Sequence, residues 1–192
     1  MLEEEYLAGH RPFGAQRNLP PLEVPFAYEI RAATQADLPD VREIYNHYVK
    51  NSMVTFDEDP WTLSELRGKF EQLTRLKLPF IVAVSPAGHV LGWAWVFPWK
   101  AKAAYRYTAE NSIYLGPAAT GKGLGTALMT ELIARSKAAG LKEIVAVIAD
   151  KGAEGSIALH ERFGFKEIGR MGRVGFKFDR WLGTVMMQKS LK

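Results

Sequence analysis

Apolar positions along the chain alternate between two spacings, and each spacing predicts an element. Leu38, Val41, Ile44, Tyr45 and Tyr48 recur every three or four residues, which puts them on one face of a helix. Thr34 stands where an N-cap belongs, with Asp37 at the capping-box position. A short strand from Tyr28 to Ala32 precedes this helix, and a brief extended piece ending at Thr55 and Phe56 follows it. Pro60 then leads into a second helix from about Leu63 to Leu76. The runs Phe80 to Val84 and Val90 to Phe97 flank Ser85-Pro86-Ala87-Gly88-His89 and predict a hairpin. Ser112 to Leu115 predicts a further strand. Helical spacing returns from Gly123 to Ala139, with Leu124, Ala127, Leu128, Leu132 and Ile133 inward and Gly140 as the stop. Glu143 to Ile148 reads as a buried strand and Ser156 to Phe163 as a helix. Phe165 to Arg170 and about Thr184 to Leu191 read as the last two strands.

Hairpin strands followed by strand–helix–strand crossovers predict an α/β fold, with a central mixed, mostly antiparallel sheet and helices on both faces. Residues 1–27 break this regularity. Gly9, Pro12, Gly14, Pro20, Pro21 and Pro25 interrupt any period, so the segment reads as an N-terminal extension to a single domain over 28–192.

Composition narrows the function. Hydrophobic residues at 47% and charged residues at 24% describe a soluble globular domain. Cysteine is absent, which excludes disulfides, thiolate metal sites and a covalent acyl-cysteine intermediate. The net charge of +4 is scattered, with no basic run interleaved with aromatics, so no nucleic-acid partner is expected. No apolar stretch is long enough to cross a membrane. The acidic start Met1-Leu2-Glu3-Glu4-Glu5 lacks the apolar core of a signal peptide, and the expected compartment is cytoplasmic.

The segment from Ser112 to Leu128 is the most informative: a strand, a small-residue loop with Gly121, Gly123 and Gly125, then an amphipathic helix. Glycines let backbone N–H groups approach an anion, and a helix N-terminus adds positive potential. A pyrophosphate fits the amides of Gly121, Lys122, Gly123, Leu124, Gly125 and Thr126. The spacing matches neither a P-loop nor a G-x-G-x-x-G fingerprint. Taken locally, a glycine-rich turn entering a core helix remains the other reading.

This strand–glycine–helix segment resembles the acetyl-CoA motif of the GCN5-related N-acetyltransferase (GNAT) superfamily. Ser156-Ile157-Ala158-Leu159-His160-Glu161-Arg162-Phe163-Gly164-Phe165 resembles that superfamily's next element, a helix ending in a Gly-Phe turn. Within the superfamily, Trp99 to Glu110 and Gly175 to Trp181 resemble the phosphinothricin and methionine sulfoximine N-acetyltransferase branch. The resemblance covers about Glu29 to Leu191. It implies acetyl-CoA as acetyl donor, with the backbone of Ile113, Tyr114 and Leu115 pairing to the pantetheine arm and the glycine turn holding the phosphates. Two positions depart from the motif: Thr120 stands where Arg or Gln is preferred, and Ala153 or Glu154 where relatives often carry Asn.

Acetyl transfer to an amine needs a base, and Glu110 matches the family's proposed one, against its reading as a surface carboxylate. Backbone N–H groups of Ile113 to Leu115 are the expected oxyanion donors. His160 occupies the place where many members carry a general-acid Tyr, and it reads either as a proton donor or water holder or as a packed residue. The branch implies a small amino-acid-like amine as substrate. Its carboxylate and polar tail call for cations and hydroxyls, for which Lys102, Arg106, Arg173, Lys177, Tyr105, Tyr107 and Thr108 are candidates. Direct transfer in a ternary complex is the expected mechanism. The resemblance also implies a homodimer, with the final strands and the aromatics Phe176 and Phe178 as interface. Acetylation of a protein N-terminus or lysine, and a silent acyl-CoA-binding module, are the competing readings.

Overall fold

The structure, a computed structural model, describes residues 26–192. The expected extension over 1–27 therefore lies outside the described residues, apart from Phe26 and Ala27. In chain order the elements are β1 (Glu29–Ala32), α1 (Leu38–Asn51), α2 (Leu63–Leu76), β2 (Phe80–Val84), β3 (Val90–Pro98), β4 (Thr108–Leu115), α3 (Leu124–Ala138), β5 (Glu143–Ala149), α4 (Glu154–Arg162), β6 (Lys166–Lys177) and β7 (Arg180–Ser190). The strands form one sheet in the order β1-β2-β3-β4-β5-β7-β6, with β4 and β5 parallel and every other pair antiparallel. The α/β architecture with a mixed, mostly antiparallel sheet is the one the spacing predicts.

The sheet separates two cores. On one face Leu38, Val41, Ile44 and Tyr45 of α1 and Leu66 and Leu73 of α2 pack on Val82, Trp93 and Trp95. On the other, Leu124, Leu128, Met129 and Leu132 of α3 and Leu159 of α4 pack on Ile81, Ala94, Val96, Ala109 and Ile144. Neighbours in β3 thus divide between the faces, tryptophans to one and Ala94 and Val96 to the other, as a pleated strand requires. Met129 and Ser136 are also inward on α3, while Ala127 and Ile133 are only partly covered.

Local chemistry fixes the helix ends. The α2 cap is a complete capping box: Glu65 N–H donates to Thr62 Oγ1 at 3.2 Å and Thr62 N–H to Glu65 Oε2 at 2.7 Å. At the end of α3, Gly140 takes the left-handed conformation at φ 86°. There Leu141 N–H reaches Ser136 O and Gly140 N–H reaches Lys137 O, a full Schellman closure.

Three boundaries differ from expectation. Strand β4 begins at Thr108, not Ser112, so Glu110 lies within it; Thr108 to Asn111 are polar or small and carry no strand signal, yet both neighbours pair with them. Strand β6 runs on to Lys177 and β7 starts at Arg180. Their tight turn uses Phe178 and Asp179, at φ 50° and 56°, without the glycine that marks such turns in a sequence.

Before α1, Asp37 closes a one-turn 3-10 segment and receives Arg31 in a two-pronged ion pair at 2.7 and 2.8 Å, with Thr34 N–H donating at 2.7 Å. The Arg31 guanidinium, then Thr34, hold the Asp37 carboxyl down to about 2. A depressed carboxyl stabilises the fold above its unfolded value of roughly 4 and loses that contribution as pH falls toward 2. Asp37→Asn is expected to lower stability at pH 7 by about 1–3 kcal/mol. Urea unfolding checks this, and the gap between variant and wild type should shrink from pH 4 toward pH 2.

Candidate active site

The parallel ladder between β4 and β5 is short. Pairing runs through Thr108↔Glu143, Ala109↔Ile144 and Glu110↔Val145 and then stops. Beyond it β3 holds β4 as far as Leu115, and β7 holds β5 as far as Ala149, so the two strands part without either losing its other partner. Trp99 N–H donates to Thr108 O and Gly116 N–H to Leu91 O, which shows that even-numbered residues of β4 turn their peptide groups to β3. The odd-numbered ones face the gap. Leu115 O is taken by the Tyr48 hydroxyl at 2.7 Å, which leaves the Leu115 N–H and both Ile113 peptide groups turned to the opening. Tyr114 sends its peptide groups toward Trp93 instead and gives the site its ring. The gap opens into a cavity of about 900 Å³.

At one end of the cavity lies the start of α3. Gly121 and Gly123 are left-handed, at φ 73° and 80°, and a Cβ on either would meet nothing within 4 Å, so their exposed side is open space. Thr126 N–H is committed to Gly123 O at 3.1 Å. The N–H groups of Leu124 and Gly125, one position earlier in the first turn, have no partner within the helix. Lys122 places its ammonium over the Phe26 ring at 4.8 Å. Thr120, in the position that departs from the motif, turns its hydroxyl back to Pro117 O. An open glycine cradle with unpaired helix amides fits a polyanion.

At the other end, where the ladder stops, stands Glu110. Its side chain lies on the α1 side with Ser112 and Tyr114, half-buried on the cavity wall. Burial pushes its carboxyl above the usual Glu value, and Lys100 opposes this. The adjoining wall is aromatic. Tyr114 meets Tyr45 edge-on at 5.0 Å, and Tyr45 stacks on Trp61 at 3.7 Å. The Tyr45 hydroxyl donates to Asp57 at 2.7 Å, as does Trp61 Nε1, so the loop after α1 is fastened and Phe56 is set at the cavity edge.

The candidate substrate residues are placed less uniformly. Lys102, Tyr105, Arg106 and Tyr107 lie exposed before β4 and do not line this cavity. Arg106 lies over Tyr107, and Arg173 over Trp181 on the outer hairpin. Thr108 is the first residue of β4 and binds Trp99 through its carbonyl. Lys177 is 2% exposed, and its ammonium donates to Thr55 O at 2.8 Å, which ties the hairpin to the loop carrying Phe56; burial lowers its pKa. His160 does line the cavity. Its Nδ1 lies 2.7 Å from Ser156 O and its Nε2 2.9 Å from Asn111 Nδ2. Sequence reasoning passed over Asn111 and the Ala146–Ala149 wall. The β-period alone would have put Asn111 on the α4 side, facing His160.

A cavity in a splayed mixed sheet, bounded by an anion cradle and a carboxylate, suits a base acting beside a bound polyanion, and comparison with known proteins names the chemistry as acyl transfer. The Acetyltransferase (GNAT) family model matches residues 40–165, and the chain belongs to that family. It is 41% identical over 162 residues to the L-methionine sulfoximine/L-methionine sulfone acetyltransferase of Pseudomonas paraeruginosa, spanning 84% of this chain and 94% of that one. It is 36% identical over 165 residues to the phosphinothricin N-acetyltransferase of Alcaligenes faecalis, covering 86% of this chain and 83% of the relative. A phosphinothricin acetyltransferase from Sinorhizobium meliloti, solved in complex with acetyl-CoA, superposes with a TM-score of 0.81 at 41% identity, over 85% of this chain and 88% of that one.

Phe56 is seated against Gly175 of β6, where a Cβ would lie 2.5 Å from the Phe56 ring. Gly175→Val must therefore displace that ring and its loop. The expected cost is about 1–3 kcal/mol, the usual range for overpacking, read by urea unfolding.

Proposed function

We propose that this protein is an acetyl-CoA-dependent N-acetyltransferase for the primary amine of a small amino-acid-like substrate, of the phosphinothricin, methionine sulfoximine or methionine sulfone type. One observation carries the reading. The β4–β5 ladder ends at Glu110, so a carboxylate stands at the head of a gap whose far end is a phosphate-sized cradle of free amides. The relatives' names supply the substrate class.

Acetyl-CoA supplies an activated acetyl group as a thioester. The Leu124 and Gly125 amides receive its phosphates, and Ile113 and the Leu115 N–H pair with its arm as a neighbouring strand would. Donors on the same stretch of β4 are positioned to stabilise negative charge at the carbonyl oxygen. Glu110 takes the proton from the amine, and its raised pKa makes it a stronger base than an exposed Glu. Tyr45, Tyr114 and Phe56 close the amine side against water. With no cysteine to carry an acyl group, transfer is direct: the amine nitrogen attacks the thioester carbonyl, the C–S bond breaks as the N–C bond forms, and the thiolate departs with coenzyme A and takes its proton from solvent.

The rest of the reading concerns the setting. Residues 28–192 act as one catalytic domain in the cytoplasm; among the described residues no helix is long and apolar enough to cross a membrane. The chain pairs with a second copy of itself. Ile168, Met171, Val174, Phe176, Phe178 and Trp181, all on the β6–β7 hairpin, are each 43–53% exposed, apolar surface at and beside the edge strand β6 that pairing would cover.

Glu110→Gln keeps size and polarity but accepts no proton. Turnover should fall by roughly 10²–10⁴-fold in a thiol-release assay with methionine sulfone, while calorimetry finds acetyl-CoA affinity unchanged. Because the base works as the carboxylate, wild-type kcat/KM should rise with pH through the Glu110 pKa, and the variant should lose that limb. Full activity in the variant at neutral pH removes Glu110 from the chemistry.

Gly125→Trp would drive an indole against Leu115 and Leu159 on the cavity wall, and loss of acetyl-CoA binding is expected. Light scattering at micromolar concentration should return twice the chain mass; a monomer refutes the pairing and leaves the cofactor site untouched.

A further inference from the structure

Two cavity-facing side chains are bonded to each other across the sheet–helix boundary, and their pattern specifies a protonation state. His160 is 2% exposed on α4, with Phe165 edge-on to its ring at 4.8 Å, and Asn111 is 6% exposed on β4. The Ser156 carbonyl only accepts, so the imidazole nitrogen 2.7 Å from it, Nδ1, carries the proton. Nε2 is then the lone-pair nitrogen, and it accepts from Asn111 Nδ2 at 2.9 Å. Both ring nitrogens are engaged. A proton on Nε2 would point at the two hydrogens of the Asn111 amide, and burial already disfavours the charged ring. His160 so arranged is an acceptor and not a proton donor.

The bond also fixes which way Asn111 faces. With Nδ2 held by His160, the amide oxygen Oδ1 is turned away, buried and without any partner. A buried acceptor left empty costs free energy that folding does not recover, and Asn111 lines the cavity beside the space a ligand would fill; Oδ1 itself is covered, so a ligand donor meets it only as the wall around it shifts. Asn111 belongs to the α3–α4 face of β4, with Ile113 and Leu115, and Glu110 to the opposite face. The empty oxygen therefore lies on the cofactor's side of the gap, one residue from the base. A thioester directed at an amine beside Glu110 brings the arm's sulfur to this level, and the nearest donor on a pantetheine arm is the amide N–H two carbons from that sulfur.

We infer that Asn111 Oδ1 binds the pantetheine amide N–H nearest the thioester, and that His160 is a positioning residue that orients Asn111 by accepting its other amide hydrogen. The inference deepens the acetyl-CoA reading above and rests on it for the identity of the ligand. His160 then has no part in protonating the departing thiolate.

Two measurements on the full chain test this. The first needs no ligand. A long-range proton–nitrogen NMR spectrum of uniformly labelled protein, with His160 assigned by its loss in His160→Gln, should show the neutral Nδ1–H form at pH 7. In Asn111→Asp, a carboxylate facing Nε2 should draw a second proton onto the ring and raise its titration midpoint. An Nε2–H or doubly protonated His160 in the wild type overturns the assignment. The second is calorimetry on Asn111→Ala. Acetyl-CoA should bind about 3- to 10-fold more weakly than to wild type. Adenosine 3′,5′-bisphosphate, which lacks the arm, should bind both equally. Equal acetyl-CoA affinity, or an equal loss for both ligands, overturns the arm contact. Wild-type protein that binds no acetyl-CoA refutes the functional reading instead, which keeps the two failures distinct. In kinetics, His160→Gln should leave the shape of the kcat–pH profile unchanged. A limb present in the wild type and lost in this variant would restore His160 as an acid.

Discussion

The site exists because two parallel strands stop hydrogen-bonding after three residue pairs. Backbone N–H and C=O groups inside a sheet are ordinarily paired, and leaving them without partners away from water is costly. Here β3 and β7 grip the outer edges of β4 and β5, so the strands can diverge without fraying. What remains is a slot lined by peptide groups that another extended, amide-bearing chain can satisfy. An acyl-pantetheine arm is such a chain. The α3 amides and the glycine turn sit at the slot's wide end because the loop after β4 must cross to the α3 face there.

The pleat of β4 then sorts the chemistry. Successive side chains point to opposite faces, so Glu110 joins the aromatic α1 side while Asn111 joins α4. In the proposed function the amine and the acetyl donor would be received on different faces of one strand and would meet where the ladder ends. A sheet that stayed closed would have kept them apart by its own thickness.

Much of this was legible in the sequence. Helical spacing placed α1, α2 and α3 closely, because amphipathic faces and caps such as Thr34–Asp37 and Gly140 are local signals. The glycine turn was legible for the same reason. What escaped reading depended on distant partners. Thr108 to Asn111 look nothing like a strand, and only the ladders on both sides make them one. Lys177 reads as a pocket cation by type, but its ammonium is spent on a carbonyl 122 positions away in the chain. The Asn111–His160 bond spans 49 positions, and no propensity or motif encodes it. The Phe178–Asp179 turn breaks the usual rule for left-handed residues, so the hairpin looked four residues shorter at the start of β7 than it is.

A slot built of peptide groups distributes its vulnerability unevenly. Every residue type except proline brings the same N–H and C=O, so side chains along the gap-facing stretch of β4 can drift while the grip persists. The exceptions are places where bare backbone is itself the feature: Gly121 and Gly123, held at left-handed angles beside open space. Neutral variation is thus tolerated along the donor's half of the site outside those glycines, whereas a change in the rim formed by Phe56 and its loop alters the shape of the cavity edge. A lineage carrying this fold can exchange one amine for another at the rim while its acetyl source stays the same.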